Sequence, residues 1–423
     1  MKHRFSSMLA VVAALLGSLV MIGATSSSAG AVTTPVATRF AYGASGFGTL
    51  LKGGQIPAGS SMTAFRPLGC TNLAGLSREN HEAASPLGGL GSASVIATRV
   101  WTTKVGSVFS SYAKNTIANV ALGDPSLGTL AVKGVTSQSR AFHNSTGFHA
   151  ATVTTVASIS FAPAGLPAQT IPVPTPGQSI DLPGLGTLYA GTSSKYLRST
   201  GATAKANALK VVLTATGTTV TIGHSEASIG GGTTVGLFHG SSFATKATAL
   251  ANNLTSGPTP LTVMPCQGTA GVVRTKKLAS VNLGGQAVVG AVTSSEQGLQ
   301  KAGIATGWER ASVAKVTLGG GQLVISGIVG KANVTRSGSR VKSSATGTTV
   351  GTILINGQTA AFPETGILAI PGVATLERSI VVRTRTGISV VGLRITLLDG
   401  TGAVIDLGTA KLSIDLAQRP LSH

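Results

Sequence analysis

Charge is scarce in this chain of 423 residues: only 10% are Asp, Glu, Lys or Arg, and aromatic residues make up 4%. Solvent-facing helices need a polar, charged face, so a sequence this poor in charge argues against a helical protein. Twelve acids scattered along the chain leave no Asp/Glu pair at a spacing that suits glycosidase work. The few aromatics are not interleaved with the basic residues, which excludes stacking on bases and, with it, nucleic acid as a partner. No glycine loop with a Lys-Ser/Thr tail is present to cradle phosphate, and no cofactor is expected. Cysteine occurs twice, at Cys70 and Cys266, which is too few for a disulfide-dense scaffold.

What is present begins with an address. Lys2, His3 and Arg4 precede the apolar run Met8–Ile22, and Ala29-Gly30-Ala31 supplies small residues for cleavage between Ala31 and Val32. The run is shorter than the roughly 20 residues a spanning helix needs, and Ala417–His423 carries neither a hydrophobic tail nor a sorting motif. These features predict a secreted protein, associated with the cell surface at most loosely, with no transmembrane anchor in the mature chain. Removing residues 1–31 takes away two cations and no acid, so the net charge falls from +20 to +18. A thinly spread positive field favours anionic wall polymers or acidic glycans as partners.

The exported part is written twice. Gly69–Arg78 (GCTNLAGLSR) returns as Pro265–Arg274 (PCQGTAGVVR), and Leu182–Leu188 (LPGLGTL) returns as Ile370–Leu376 (IPGVATL). Leu166–Thr170 answers to Ile355–Thr359, Leu209 to Leu393, and Gly223 to Gly408. The landmarks keep their order, so each copy is domain-sized. The expected organisation is a signal peptide at 1–31, a first β-rich repeat at 32–232 and a second at 233–423. The two cysteines hold equivalent places in the copies. They either pair as an inter-copy disulfide or lie as two buried free thiols.

Alternating β-branched residues in Val100–Val105, Ala151–Phe161 and Val341–Val350 predict strands. Asn356-Gly357 predicts a two-residue hairpin. Ser241–Asn253 is the one helix candidate, weakened by the glycines of its twin, Ala44–Gly54. The fold class is therefore all-β: two tandem homologous antiparallel sandwich-like or barrel-like domains.

Gly177–Leu188 (GQSIDLPGLGTL), Leu209–Leu213 and Val220–Ser228 resemble the C-terminal signature of actinobacterial choice-of-anchor P proteins. Leu127–Ser137 and the Cys-x-x-x-Ala-Gly stretch at Cys70 are similar to that family too, and Leu318–Ile328 and Ile405–Gly408 repeat the pattern less closely. The resemblance implies an exported protein and brings no catalytic residues with it. This chain departs from the family in lacking a recognisable anchor.

Gly223-His224-Ser225-Glu226-Ala227 imitates the nucleophile elbow of α/β-hydrolases. Its counterpart, Gly408–Leu412, keeps neither the His nor the Ser, so a hydrolase is only a remote alternative. Arg78–Glu82 reads as a solvated strand end. His143 and His149 reach one metal only if the chain bends at Gly147, and no metal site is expected. Trp101 and Trp308 read as core residues, with a sugar platform as the alternative. The expected function is a non-enzymatic cell-envelope or extracellular structural or interaction protein. The alternative is a module that binds glycan or anionic wall polymer in the cleft between the repeats.

Overall fold

Strands dominate because small and β-branched residues alternate with half-buried Ser and Thr over long stretches, a pattern that suits pleated surfaces with one buried face. The computed structural model describes residues 34–52, 62–87, 90–124, 126–215, 217–248, 255–283, 287–398, 400 and 402–418. The expected signal peptide at 1–31 and the expected cleavage between Ala31 and Val32 lie outside the described residues. Among the described residues there are four antiparallel sheets and a single 3-10 turn, Gly319–Gly321.

Sheet 1 runs, in spatial order, through Ser179–Leu182, Gly186–Ala190, Gly201–Leu213, Thr219–Gly230, Val36–Lys52 and Arg66–Ala74. Sheet 2 runs through Ser77–Pro86, Gly91–Val105, Val108–Asp124, Gly128–Asn144, Ser158–Ala162 and Gln169–Ile171. Sheet 3 repeats the order of sheet 1 with Ile367–Ile370, Ala374–Arg383, Gly387–Leu397, Val404–Leu416, Gly236–Thr248 and Thr255–Val263. Sheet 4 repeats that of sheet 2 with Arg274–Leu278, Val292–Lys301, Ile304–Leu318, Leu323–Ser337, Ile353–Ile355 and Gln358–Ala360. Sheet 1 packs on sheet 2 and sheet 3 on sheet 4. The apolar interiors are built from Ile96, Leu130, Leu188 and Ile222 in the first half and from Val316, Ile325, Leu376 and Leu407 in the second.

The register makes the halves comparable residue by residue. Phe47 faces His224 and Thr49 faces Ile222, so the ladder skips one residue on each strand at Gly223 without changing register; Phe243 faces Thr409 and Thr245 faces Leu407, which leaves the same gap at Gly408. Both glycines have left-handed backbone, with φ of 66° and 64°. Gly134 and Gly327 form a second matched pair, at 62° and 67°. L-residues other than glycine rarely adopt this conformation, and it bends the strand locally.

These bends explain two departures from the predicted strands. Ala151–Phe161 divides into Gly147–Thr155 and Ser158–Ala162 opposite Gly134, where the Ala157 amide donates to the Lys133 and Gly134 carbonyls. The second-half run ends likewise at Ser344. The helix candidate is overturned as well: Gly236–Thr248 is a strand, its small residues packing Ser242 and Ala244 inward against sheet 4. The Asn356-Gly357 hairpin forms as read, with Ile355 opposite Gln358.

No ladder among the described residues joins a strand ending by Gly230 to one beginning at Gly236 or later, although residues 35–423 cluster as one compact unit. The connecting segment is pinned on both sides. Thr233 N donates to Arg39 O, while the amides of Thr234, Val235 and Gly236 all donate to the Gln300 side-chain carbonyl. Cys70 and Cys266 are joined by a disulfide with Cα atoms 5.3 Å apart. Beside it, Ala41, Leu237 and Ala417 are buried together. Buried Asn72 holds both the carbonyl and the amide of Gln418.

Where the sheets of the second half cross, their backbones touch. A Cβ on Gly330 of sheet 4 would collide with the Gly408 carbonyl of sheet 3, and one on Gly392 would meet the Val329 carbonyl at 3.0 Å. Gly330→Ala is therefore expected to cost at least 2–3 kcal/mol, roughly the range for overpacking a filled interior. Gly69→Ala, in open space, should change little. Chemical denaturation of the two variants checks this, and equal midpoints would refute the contact.

Candidate functional site

The elbow-like motif resolves first. Neighbouring residues on a strand point to opposite faces, and His224 and Ser225 obey that rule. Ser225 faces inward and is fully buried, its Oγ 2.6 Å from Ser137 Oγ and 2.9 Å from Ser139 Oγ. His224 lies on the outer face of sheet 1, stacked on Phe47 with ring centroids 4.4 Å apart, and its Nδ1 donates to Asn207 Oδ1 at 2.7 Å. Burial, assisted by Lys205 and Lys52, pushes its pKa down to about 4. The imidazole is neutral at pH 7, so its 3.8 Å approach to Glu226 is not an ion pair. The two side chains cannot form a nucleophile–base couple.

The other sequence candidates separate too. Arg78–Glu82 lies on the largely exposed edge strand of sheet 2, where Glu79 meets Arg99 at 3.1 Å. The chain does turn at Gly147, yet His149 shares the outer face with Phe142, whereas His143 turns inward onto Phe40 and Phe148. Among the described residues no group of three or more His, Cys, Asp or Glu could hold a metal ion.

A carboxyl pair that the sequence reading missed lies inside the second half. Glu296 and Glu309 face each other across adjacent strands, only 2% and 0% exposed. The hairpin turn at Ala302-Gly303 sets this register, so the turn was the available signal. In the first half the same places hold buried Val100 and Ala113, facing each other in the matching ladder. Glu296 Oε1 is 3.6 Å from Arg274, while Glu296 Oε2 and both Glu309 oxygens lack hydrogen-bond partners. Burial, then repulsion from Glu296, raises the Glu309 pKa to about 9; the nearby Ser242 hydroxyl acts the other way. Burial raises that of Glu296 as well, against Arg274 and Lys276. Glu309 is thus a neutral acid at pH 7, an arrangement that can hold or release a proton but is sealed from any substrate.

An outward-facing cluster of rings and cations lies on sheet 2. Trp101, Tyr112 and Arg140 form one cross-strand row, and Phe142 and His149 lie in the next. Trp101 stacks on Tyr112 at 4.7 Å with 4° between planes, and Phe142 stacks on His149 at 4.8 Å. Arg140 lies 4.1 Å over Phe142 and 5.2 Å over Tyr112, and Arg99 lies 5.2 Å from Trp101. All five members are half-buried, their neighbours Val100, Ala113 and Ala141 pointing inward. Trp101 is therefore not a core residue. Nor is Trp308, which takes the place of Tyr112 on sheet 4 and donates to Gln297 Oε1 at 2.7 Å, Gln297 taking that of Trp101. The reading of both as core failed because composition does not show which strand parity faces out.

The chain matches no protein-family model and no curated protein. Among its described residues no helix is long and apolar enough to cross a membrane.

The carboxyl pair generates a prediction. Below pH 4.5 Glu309 is protonated in folded and unfolded chains alike. Between there and about 9 the unfolded chain releases a proton that the folded chain keeps, so stability falls as pH rises. The loss is roughly 3–6 kcal/mol across that window. Glu309→Gln should remove most of it, as read from urea midpoints at pH 5 and pH 9. A variant with the wild-type pH slope would show that Glu309 is not the titrating group.

Proposed function

We propose that the chain is an exported, non-enzymatic interaction protein of the choice-of-anchor P kind, its two halves descended from one duplicated domain. Its partner is an anionic wall polymer or acidic glycan, and the polymer lies on the open face of sheet 2. The observation that carries this reading is the row Trp101–Tyr112–Arg140 with Phe142 and His149 beside it. Flat rings stack on sugar faces, and the Arg99 and Arg140 guanidinium groups, which strand pairing sets among the rings although the chain order does not interleave them, meet carboxylate or phosphate in two-pronged fashion. The Cys70–Cys266 disulfide supports export, since such bonds persist in oxidising compartments. The matched strand order of the halves supports duplication, and the family assignment rests on the motifs quoted above.

The cleft between the repeats is a poorer place for the partner than the sequence suggested. The junction is occupied by the disulfide, by Ala41, Leu237 and Ala417, and by the Asn72–Gln418 pair. A hydrolase is disfavoured by the opposite facing of His224 and Ser225.

Titration with polygalacturonate and with poly(glycerol phosphate), followed by Trp fluorescence and calorimetry, tests the proposal. Trp101→Ala and Arg140→Ala should each weaken binding about tenfold, in line with roughly 1–3 kcal/mol per ring or cation contact. Trp308→Ala should leave it intact. Failure of both polymers to bind, or indifference to the sheet 2 substitutions, would leave a purely structural role.

A further inference from the structure

The outer face of sheet 3 carries a groove that its counterpart on sheet 1 lacks. In the first half the imidazole of His224 lies flat on Phe47 and is fixed by Asn207. The ladders align His224 with Thr409, Phe47 with Phe243 and Asn207 with Val391. The second half therefore keeps the phenyl ring but has lost the ring that covers it. In that place is a cavity of about 240 Å³, lined by Phe243, Val391, Ile380 and Val382 and by the Thr409 side chain. Thr409 is 1% exposed and its hydroxyl has no hydrogen-bond partner.

The rim has changed in the same direction. Leu50 of the first half corresponds to Lys246 and Glu226 to Lys411, although Lys205 gives way to Ser389. Asp406, which stands opposite Lys246 in the ladder, is engaged by Arg394 at 2.7 and 3.2 Å, so the groove sets three cations, Lys246, Arg394 and Lys411, against one carboxylate, and Lys411 has none opposite it. A buried hydroxyl without a partner, apolar walls around a phenyl ring and an excess of cations on the rim specify one kind of occupant.

We propose that this groove binds a single-ring aromatic carboxylate. Its ring takes the space that the His224 imidazole fills in the first half, and its carboxylate accepts from Thr409 and faces Lys246 and Lys411. The site is separate from the face of sheet 2 and does not depend on polymer binding there.

Benzoate is the probe, titrated into the intact protein and followed by saturation-transfer NMR and calorimetry, with benzyl alcohol and glucuronate as parallel arms. Saturable benzoate binding is expected, about tenfold weaker in Lys411→Glu, which installs the first-half residue. Binding should vanish in the double variant Thr409→His, Val391→Asn, which rebuilds the first-half arrangement and so fills the groove without a foreign residue. Its thermal midpoint is read alongside, and Lys411→Glu carries the test should the double variant fold poorly. No benzoate binding by the wild type, or binding unchanged in both variants, overturns the proposal. Tighter binding of glucuronate would replace the aromatic acid with an acidic sugar, and equal binding of benzyl alcohol would remove the role of the lysines.

Discussion

The close approach of the two sheets in each half governs the rest of the structure. At the crossing, Gly330 and Gly392 meet the opposite backbone directly, and Gly223 and Gly408 turn their strands with positive φ. In the first half the matching seam holds Ser137, Ser139 and Ser225, whose hydroxyls satisfy one another. A buried hydroxyl left alone costs more than a hydrogen bond returns, so that serine cluster works only as a set. The seam separates the interior of each half into apolar clusters on either side of it. It also explains a composition with 57 glycines and few large side chains.

Because the frame is repeated, each half serves as a control for the other. Places that differ sharply in chemistry while sharing register are places where the fold makes no demand. Val100 and Ala113 show that the positions of Glu296 and Glu309 can be filled by apolar groups; a buried carboxyl pair is costly by comparison. The Trp101–Tyr112 stack becomes a Gln297–Trp308 hydrogen bond, and the His224 lid over Phe47 becomes an open groove over Phe243. The first half thus presents rings and guanidinium groups to solvent on sheet 2, and the second half offers lysines around a cavity on sheet 3.

Much of the frame was legible in the sequence, because turns and positive-φ glycines have local chemistry. Asn356-Gly357, the matched Leu182–Leu188 and Ile370–Leu376 turns and the Gly223/Gly408 correspondence all follow from residues that favour one backbone shape. The face on which a residue stands was less legible. The scarcity of aromatics points Trp101 and Trp308 to the core, whereas strand parity sends them outward. The Glu296–Glu309 pair hides in a separation of thirteen residues that means nothing until the Ala302-Gly303 turn fixes the pairing. The groove was invisible for a different reason: it is defined by a missing ring, and only superposed registers reveal what is missing.

The halves are expected to be two like-built sandwiches fastened covalently at one point, and the fastening is directly measurable. Intact mass of the purified protein after denaturation and thiol alkylation, with and without prior reduction, decides it. A single species that takes up no alkylating agent until reduced, then takes up two equivalents at Cys70 and Cys266, is the predicted result. Two thiols alkylated on denaturation alone would contradict the clamp and leave the two sandwiches to non-covalent contacts such as the Asn72–Gln418 pair.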